Sequence, residues 1–163
     1  MSNARRWAFD LTLWTISLIT GLSLIAHEAM AGEKRMTAGN ARYEAECASC
    51  HLAYPPQLLP APAWRRIMAG LGKHFGTNAT LDASAAAEIG NFLDGAAGTG
   101  KRVAGAGDNS LRITRTPWFE REHGEVPSAA WRRPSVGGPG NCAACHTAAP
   151  QGDFDEHNVR IPR

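Results

Sequence analysis

Two five-residue runs, Cys47-Ala48-Ser49-Cys50-His51 and Cys142-Ala143-Ala144-Cys145-His146, together use all four cysteines of the chain. No other feature restricts the fold so tightly. In a Cys-x-x-Cys-His run, two thiols can form thioether bonds to the vinyl groups of a porphyrin, and the adjacent histidine reaches the iron from one face. The Cys-x-x-Cys spacing alone would also suit a zinc site or a redox disulfide. Those readings leave the histidine after each pair without a role, and a thioredoxin-like motif calls for strand and helix alternation that the sequence pattern lacks. Two covalently bound haem c groups are therefore the expected cofactors. Cys47, Cys50, Cys142 and Cys145 are the expected anchors, and His51 and His146 the iron ligands supplied by the runs.

The start of the chain fits that chemistry. Arg5 and Arg6 precede an apolar stretch from Leu11 to Ala26, and Ala29-Met30-Ala31 has the small-x-small form of a cleavage site. The stretch is shorter than the roughly 20 apolar residues of a membrane span, and Asp10 sits at its edge. Residues 1–31 are thus expected to be a secretory signal cleaved after Ala31, which places the protein in the periplasm, where bacteria receive covalent haem after export. What remains is ample for one domain and tight for two. A haem fixed by three bonds supplies apolar core that the sequence need not, so little stable fold is expected without it. The chain's 17 basic and 15 acidic residues are interspersed rather than blocked, which excludes a nucleic-acid-binding stripe.

Gly39, Tyr43, Cys47 and Cys50 are spaced to share a helical face. The prolines at Tyr54-Pro55-Pro56 and Leu59-Pro60 then force a loop around the haem edge, where a carbonyl near Pro55 is expected to accept the His51 ring N–H. Pro62 opens a helical stripe of Trp64, Ile67, Met68, Leu71, His74 and Phe75. A further helix runs from about Asp82, with Ile89, Phe92 and Leu93 on one face and Gly95 at its close. Residues 95–107, rich in Gly and Ala, read as a linker or long loop. Beyond them the chain is irregular, except where Thr116-Pro117-Trp118-Phe119 spells an N-cap and first turn, and where Asn141 is placed to cap a short helix at Cys142.

The second axial ligands must come from a short inventory. No methionine lies in the second half of the chain, so the second iron cannot take a local one, and histidine gives the lower potential. His74 is the expected partner of His51, with Met68 as its rival; methionine at helical spacing is more often core. His123, one turn beyond Phe119, is the expected partner of His146, against His157 in a polar stretch near the end. Two Ala-Trp-Arg-Arg sequences, at residues 63–66 and 130–133, lie on opposite sides of their haem runs and do not support a tandem repeat. Their arginines suit haem propionates, although surface arginines beside a packed tryptophan would look the same.

Gly39, Tyr43, Ile89, Phe92 and Leu93 resemble the crossed helix pair of class I cytochrome c. The departure is that His74 stands where that class commonly has methionine. Tyr43-x-x-Glu46-Cys47, Trp64-Arg65-Arg66-x-Met68, His74-Phe75-Gly76, Thr116-Pro117-Trp118-Phe119 with His123, and Cys142 to Phe154 together resemble the small bacterial dihaem cytochromes c, abbreviated DHC. The likeness runs from about Tyr43 to Pro162. It implies an all-α chain with a class I-like haem domain at 32–100 and a smaller, irregular haem domain at 101–163, with ligand pairs His51/His74 and His123/His146. It further implies a low-potential periplasmic electron carrier, not an enzyme, exchanging electrons with a small monohaem oxygen-binding cytochrome c or a membrane b-type cytochrome. The alternative is a dihaem peroxidase or nitrogen-oxide reductase, which needs one open iron and a distal acid/base group.

Overall fold

The structure, a computed structural model, describes residues 35–107 and 111–163. Contacts divide the chain into Met1–Arg35 and Met36–Arg163, so the expected signal at 1–31 lies outside the described residues. Among the described residues there are four α-helices joined by 3-10 turns, with no strand longer than isolated bridges such as that between His74 and Thr77. The helices are α1, Ala41–Cys47; α2, Ala61–Ala69; α3, Ala83–Ala96; and α4, Pro117–Glu122. None of the described helices is long and apolar enough to cross a membrane. The expected all-α class holds.

Helix α1 begins at Ala41, two residues later than a Gly39 start would require. Asn40 is its cap, with the side-chain oxygen accepting the Tyr43 N–H at 2.8 Å, which satisfies one of the donors a helix start leaves open. Gly39 lies outside the helix at φ +72, a left-handed conformation open to glycine at no steric cost. Cys50 likewise falls in the turn after the helix, not on its face. Tyr43 points inward, and its ring meets Phe92 of α3 at 5.9 Å. That contact joins the two helices that the sequence set against each other.

Helix α2 has Pro60 as its cap residue and Pro62 in its first turn, where a missing N–H costs nothing. Its periodic stripe stops at Ala69. Gly70 breaks the helix, Leu71–Lys73 form a tighter 3-10 turn, and His74 follows as the turn's last residue. His74 and Phe75 are therefore not on the α2 face that holds Trp64 and Ile67; the glycine rotates them away from it. Helix α3 is capped by Asp82, whose carboxylate accepts the Ser84 and Ala85 N–H groups, and it runs past Gly95 to Ala96. It packs chiefly on α2. Leu59, Ala63, Trp64, Ile67, Ile89 and Leu93 form the core between them.

Residues 97–107 are a loop, but not a free tether. Gly100–Val103 form a 3-10 turn, and Val103 and Ala106 are buried in the same core. The Arg66 guanidinium donates to the Gly107 carbonyl at 2.7 Å. In the second half, Phe119, Ala130, Val136 and Ala149 are the buried apolar side chains. Backbone bonds hold that half: Arg160 N–H to Cys145 O at 2.9 Å, and Met36 N–H to Gly152 O at 2.8 Å.

Candidate haem sites: two facing histidine pairs

In the first site the His51 and His74 rings face each other with centroids 6.2 Å apart and planes inclined by 26°. The His51 Nδ1 lies 2.7 Å from the Leu52 carbonyl. With Nδ1 protonated it donates there, which fixes the tautomer and leaves Nε2 free. The acceptor is Leu52, not a carbonyl near Pro55; the Pro55 carbonyl instead takes the Leu58 N–H at 3.1 Å. The Tyr54 ring stacks on the other side of His51 at 4.8 Å. His74 is held by a tight turn in which its carbonyl accepts the Thr77 N–H at 3.0 Å. The turn puts Phe75 at φ +50, which costs a non-glycine residue on the order of 1 kcal/mol or more. Phe75 lies edge-on to His74 at 4.8 Å, and the Arg112 guanidinium covers its ring at 4.4 Å. Burial, then the neighbouring His51 and Arg112, hold the His74 imidazole below its ordinary range, so it stays neutral and fit to donate a lone pair. Met68 packs against the core between α2 and α3.

The second site is built from shorter pieces. The buried Thr116 hydroxyl accepts the Phe119 N–H at 3.1 Å and donates to the Ile113 carbonyl at 2.8 Å, closing the start of α4. His123 ends that helix. Its ring stacks on Phe119 at 4.0 Å, and its Nδ1 lies 3.0 Å from the Phe119 carbonyl, an orienting contact of the same kind as that of His51. Trp131 flanks it at 6.0 Å. The His146 ring lies 6.1 Å from His123, with planes inclined by 72°. One backbone turn sets His146, its N–H donating to the Cys142 carbonyl at 2.8 Å. This is a 3-10 turn, Cys142–Ala144, and Asn141 does not cap it with its side chain, which donates to the Val136 carbonyl at 3.0 Å instead. Phe154 packs beside His146 at 5.4 Å. Burial and His123 lower the His146 imidazole, with Asp153 opposing. His157 stands apart: its side chain is 77% exposed, and its Nδ1 is bound to Asp155 at 2.7 Å.

The two separations carry chemical information. A metal sits about 2 Å from an imidazole nitrogen, and the ring centre lies about 1.1 Å behind that nitrogen, so two rings on opposite sides of one metal have centres about 6.2 Å apart. Both pairs meet that value. Among the described residues no group of three or more His, Cys, Asp or Glu side chains converges on a metal position. Each pair's separation is thus the one that two imidazoles would have when holding a single metal from opposite sides. The thiols fit attachment better than redox work. Burial pushes Cys142 up to about 11 and also raises Cys47 and Cys145, whereas reactive redox cysteines are lowered.

The Trp-Arg-Arg groups have structural partners. The buried Trp64 donates its indole N–H to the Pro56 carbonyl at 2.8 Å, Arg65 pairs with Asp94, and Arg133 donates to the Pro162 carbonyl at 2.5 Å. Sequence reasoning passed over Tyr54, Phe154 and the Leu52 carbonyl as neighbours of the site. The one available signal was an aromatic residue within reach of each motif histidine.

A helical frame carrying two Cys-x-x-Cys-His runs, each beside a facing histidine pair, is that of a c-type haem protein with two centres. The chain belongs to the dihaem cytochrome c family, whose sequence model matches residues 43–154, and it accordingly carries two haem c groups. Among solved structures it is similar to a dihaem cytochrome c from Rhodobacter sphaeroides, at 38% identity and TM-score 0.67 over 73% of this chain and 99% of that one. It is also similar to the dihaem cytochrome sb-DHC from Shewanella baltica OS155, at 43% identity and TM-score 0.66 over 76% and 93%. No curated protein sequence matches.

Proposed function

We infer that the protein is a periplasmic, low-potential electron carrier in which His51/His74 and His123/His146 close both irons, and Cys47, Cys50, Cys142 and Cys145 hold the haems. The observation that supports this best is the common ring separation of the two pairs, 6.2 and 6.1 Å. Each haem, when bound, supplies a one-electron centre whose potential falls with histidine in place of methionine. The chain's own contribution is to hold the ligands still. Leu52 and Phe119 carbonyls orient one imidazole of each pair, which also strengthens it as a donor. Tyr54, Phe119, Trp131 and Phe154 wall the imidazoles with apolar surface, and such a shell keeps water out and helps to set the potential. Ligands locked in this way need not move between oxidation states. The partners are then redox proteins of the kind the family resemblance implies, a small monohaem oxygen-binding cytochrome c or a membrane b-type cytochrome, with no small-molecule substrate.

Carbon monoxide titration of the reduced protein at neutral pH tests the reading. The expected result is no stoichiometric binding at either iron. Binding of one equivalent would identify an open or labile site and favour the dihaem enzyme alternative.

A further inference from the structure

One residue touches both haem sites. Tyr54 lies in the loop after the first run, yet its hydroxyl donates to the Gly140 carbonyl at 2.7 Å, 86 positions away. That same carbonyl lies 3.8 Å from the Cys142 Sγ, the first anchor of the second haem run. The other end of Tyr54 is its ring, stacked on His51 at 4.8 Å with the planes only 20° apart. Its backbone is fixed as well, because the buried Tyr43 hydroxyl donates to the Tyr54 carbonyl at 2.9 Å.

We propose that Tyr54 is the positioning residue that couples the two haem sites, through a contact path running from the His51 ring through the Tyr54 ring and hydroxyl to the Gly140 carbonyl and the Cys142 sulfur. A hydrogen bond between segments so distant in sequence also fixes the second run relative to the first ligand, and loss of the bond would leave a part-buried acceptor without its partner. This inference rests on the reading of His51 and Cys142 as haem-binding residues.

The test uses the two-haem protein and measures electron equilibration between the centres after rapid one-electron reduction, with paramagnetic resonance of the oxidised form as a companion. Tyr54→Phe keeps the ring and deletes the bond to Gly140; Tyr43→Phe deletes only the bond to the Tyr54 carbonyl, so the Tyr54 ring and hydroxyl keep their own partners. Equilibration is expected to slow severalfold in Tyr54→Phe and to slow less in Tyr43→Phe, which loosens only the Tyr54 backbone. An unchanged rate in Tyr54→Phe, or equal slowing in Tyr54→Phe and Tyr43→Phe, overturns the proposal. A parent protein that lacks two low-spin bis-histidine signals overturns the underlying reading instead, so the two failures are distinct.

Discussion

The two haem sites present the same ring separation on very different foundations. The first hangs on three helices and a continuous core in which Leu59, Ile89 and Leu93 are almost wholly buried. The second hangs on one short helix and a series of 3-10 turns, with a smaller set of buried side chains around Phe119 and Val136. Apolar burial grows with the size of the packed unit, so the first half has the larger apolar core and the second relies more on its backbone ties. Similar ring separation does not require similar architecture; in both sites one imidazole is stacked on an aromatic ring and oriented by a backbone carbonyl.

Removing each haem in turn breaks the comparison hardest. Cys142→Ser with Cys145→Ser is expected to halve the haem content and to abolish amide-exchange protection in residues 111–163, while α2 and α3 stay protected. The reciprocal Cys47→Ser with Cys50→Ser should leave a helical α2/α3 remnant visible by circular dichroism. Loss of protection throughout in the first variant would mean that the halves fold as one unit.

Core truncations sharpen the comparison by degree. Ile89→Ala should cost about 2–5 kcal/mol in denaturant unfolding, as for other fully buried aliphatics. Val136→Ala removes less and should cost about 1–2 kcal/mol. Equal losses would show that the second half has a core of the same quality. A smaller effect follows from the cap that presents His123. Thr116→Val keeps the volume, loses the hydroxyl bonds to Phe119 and Ile113, and should cost about 1 kcal/mol, with the second haem's spectrum perturbed and the first unchanged.

The smallest expected effect is on the first half alone and comes from pH. Bonds from the Ser84 hydroxyl and the Ala85 N–H, with help from Arg42, hold the Asp82 carboxyl below its ordinary range. A carboxyl lowered on folding adds stability above its unfolded value, and that contribution is lost as pH falls through the folded one. Acid should therefore loosen the start of α3, and Asp82→Asn should flatten that part of the pH profile.

Much of the fold was legible because caps and periodicity are local. Thr116, Pro117 and Asp82 sit where their chemistry places them, and the Ile89/Leu93 face is buried as its spacing requires. What was not legible depended on breaks and on distant contacts. Gly70 turns His74 off the α2 stripe, although the expected ring still arrives opposite His51. Asn141 has a capping side chain, but the Val136 carbonyl competes for it. The carbonyl that orients His51 comes from its immediate neighbour, a choice that no periodicity encodes. Tyr54 meets Gly140 only because the two halves meet, and nothing near either residue in sequence announces it.

Low-temperature paramagnetic resonance of the oxidised protein tests whether both irons are closed by histidine pairs of unlike geometry. Ring planes set at 26° lift the degeneracy of the iron d-orbitals, while planes at 72° nearly preserve it. Two low-spin signals of equal weight are expected, one of ordinary rhombic form and one dominated by a single large g value. Both should survive in Met68→Leu and His157→Ala, with the first lost in His74→Ala and the second in His123→Ala. A stoichiometric high-spin signal in the parent, or loss of a low-spin signal in Met68→Leu or His157→Ala, would contradict closure by these pairs.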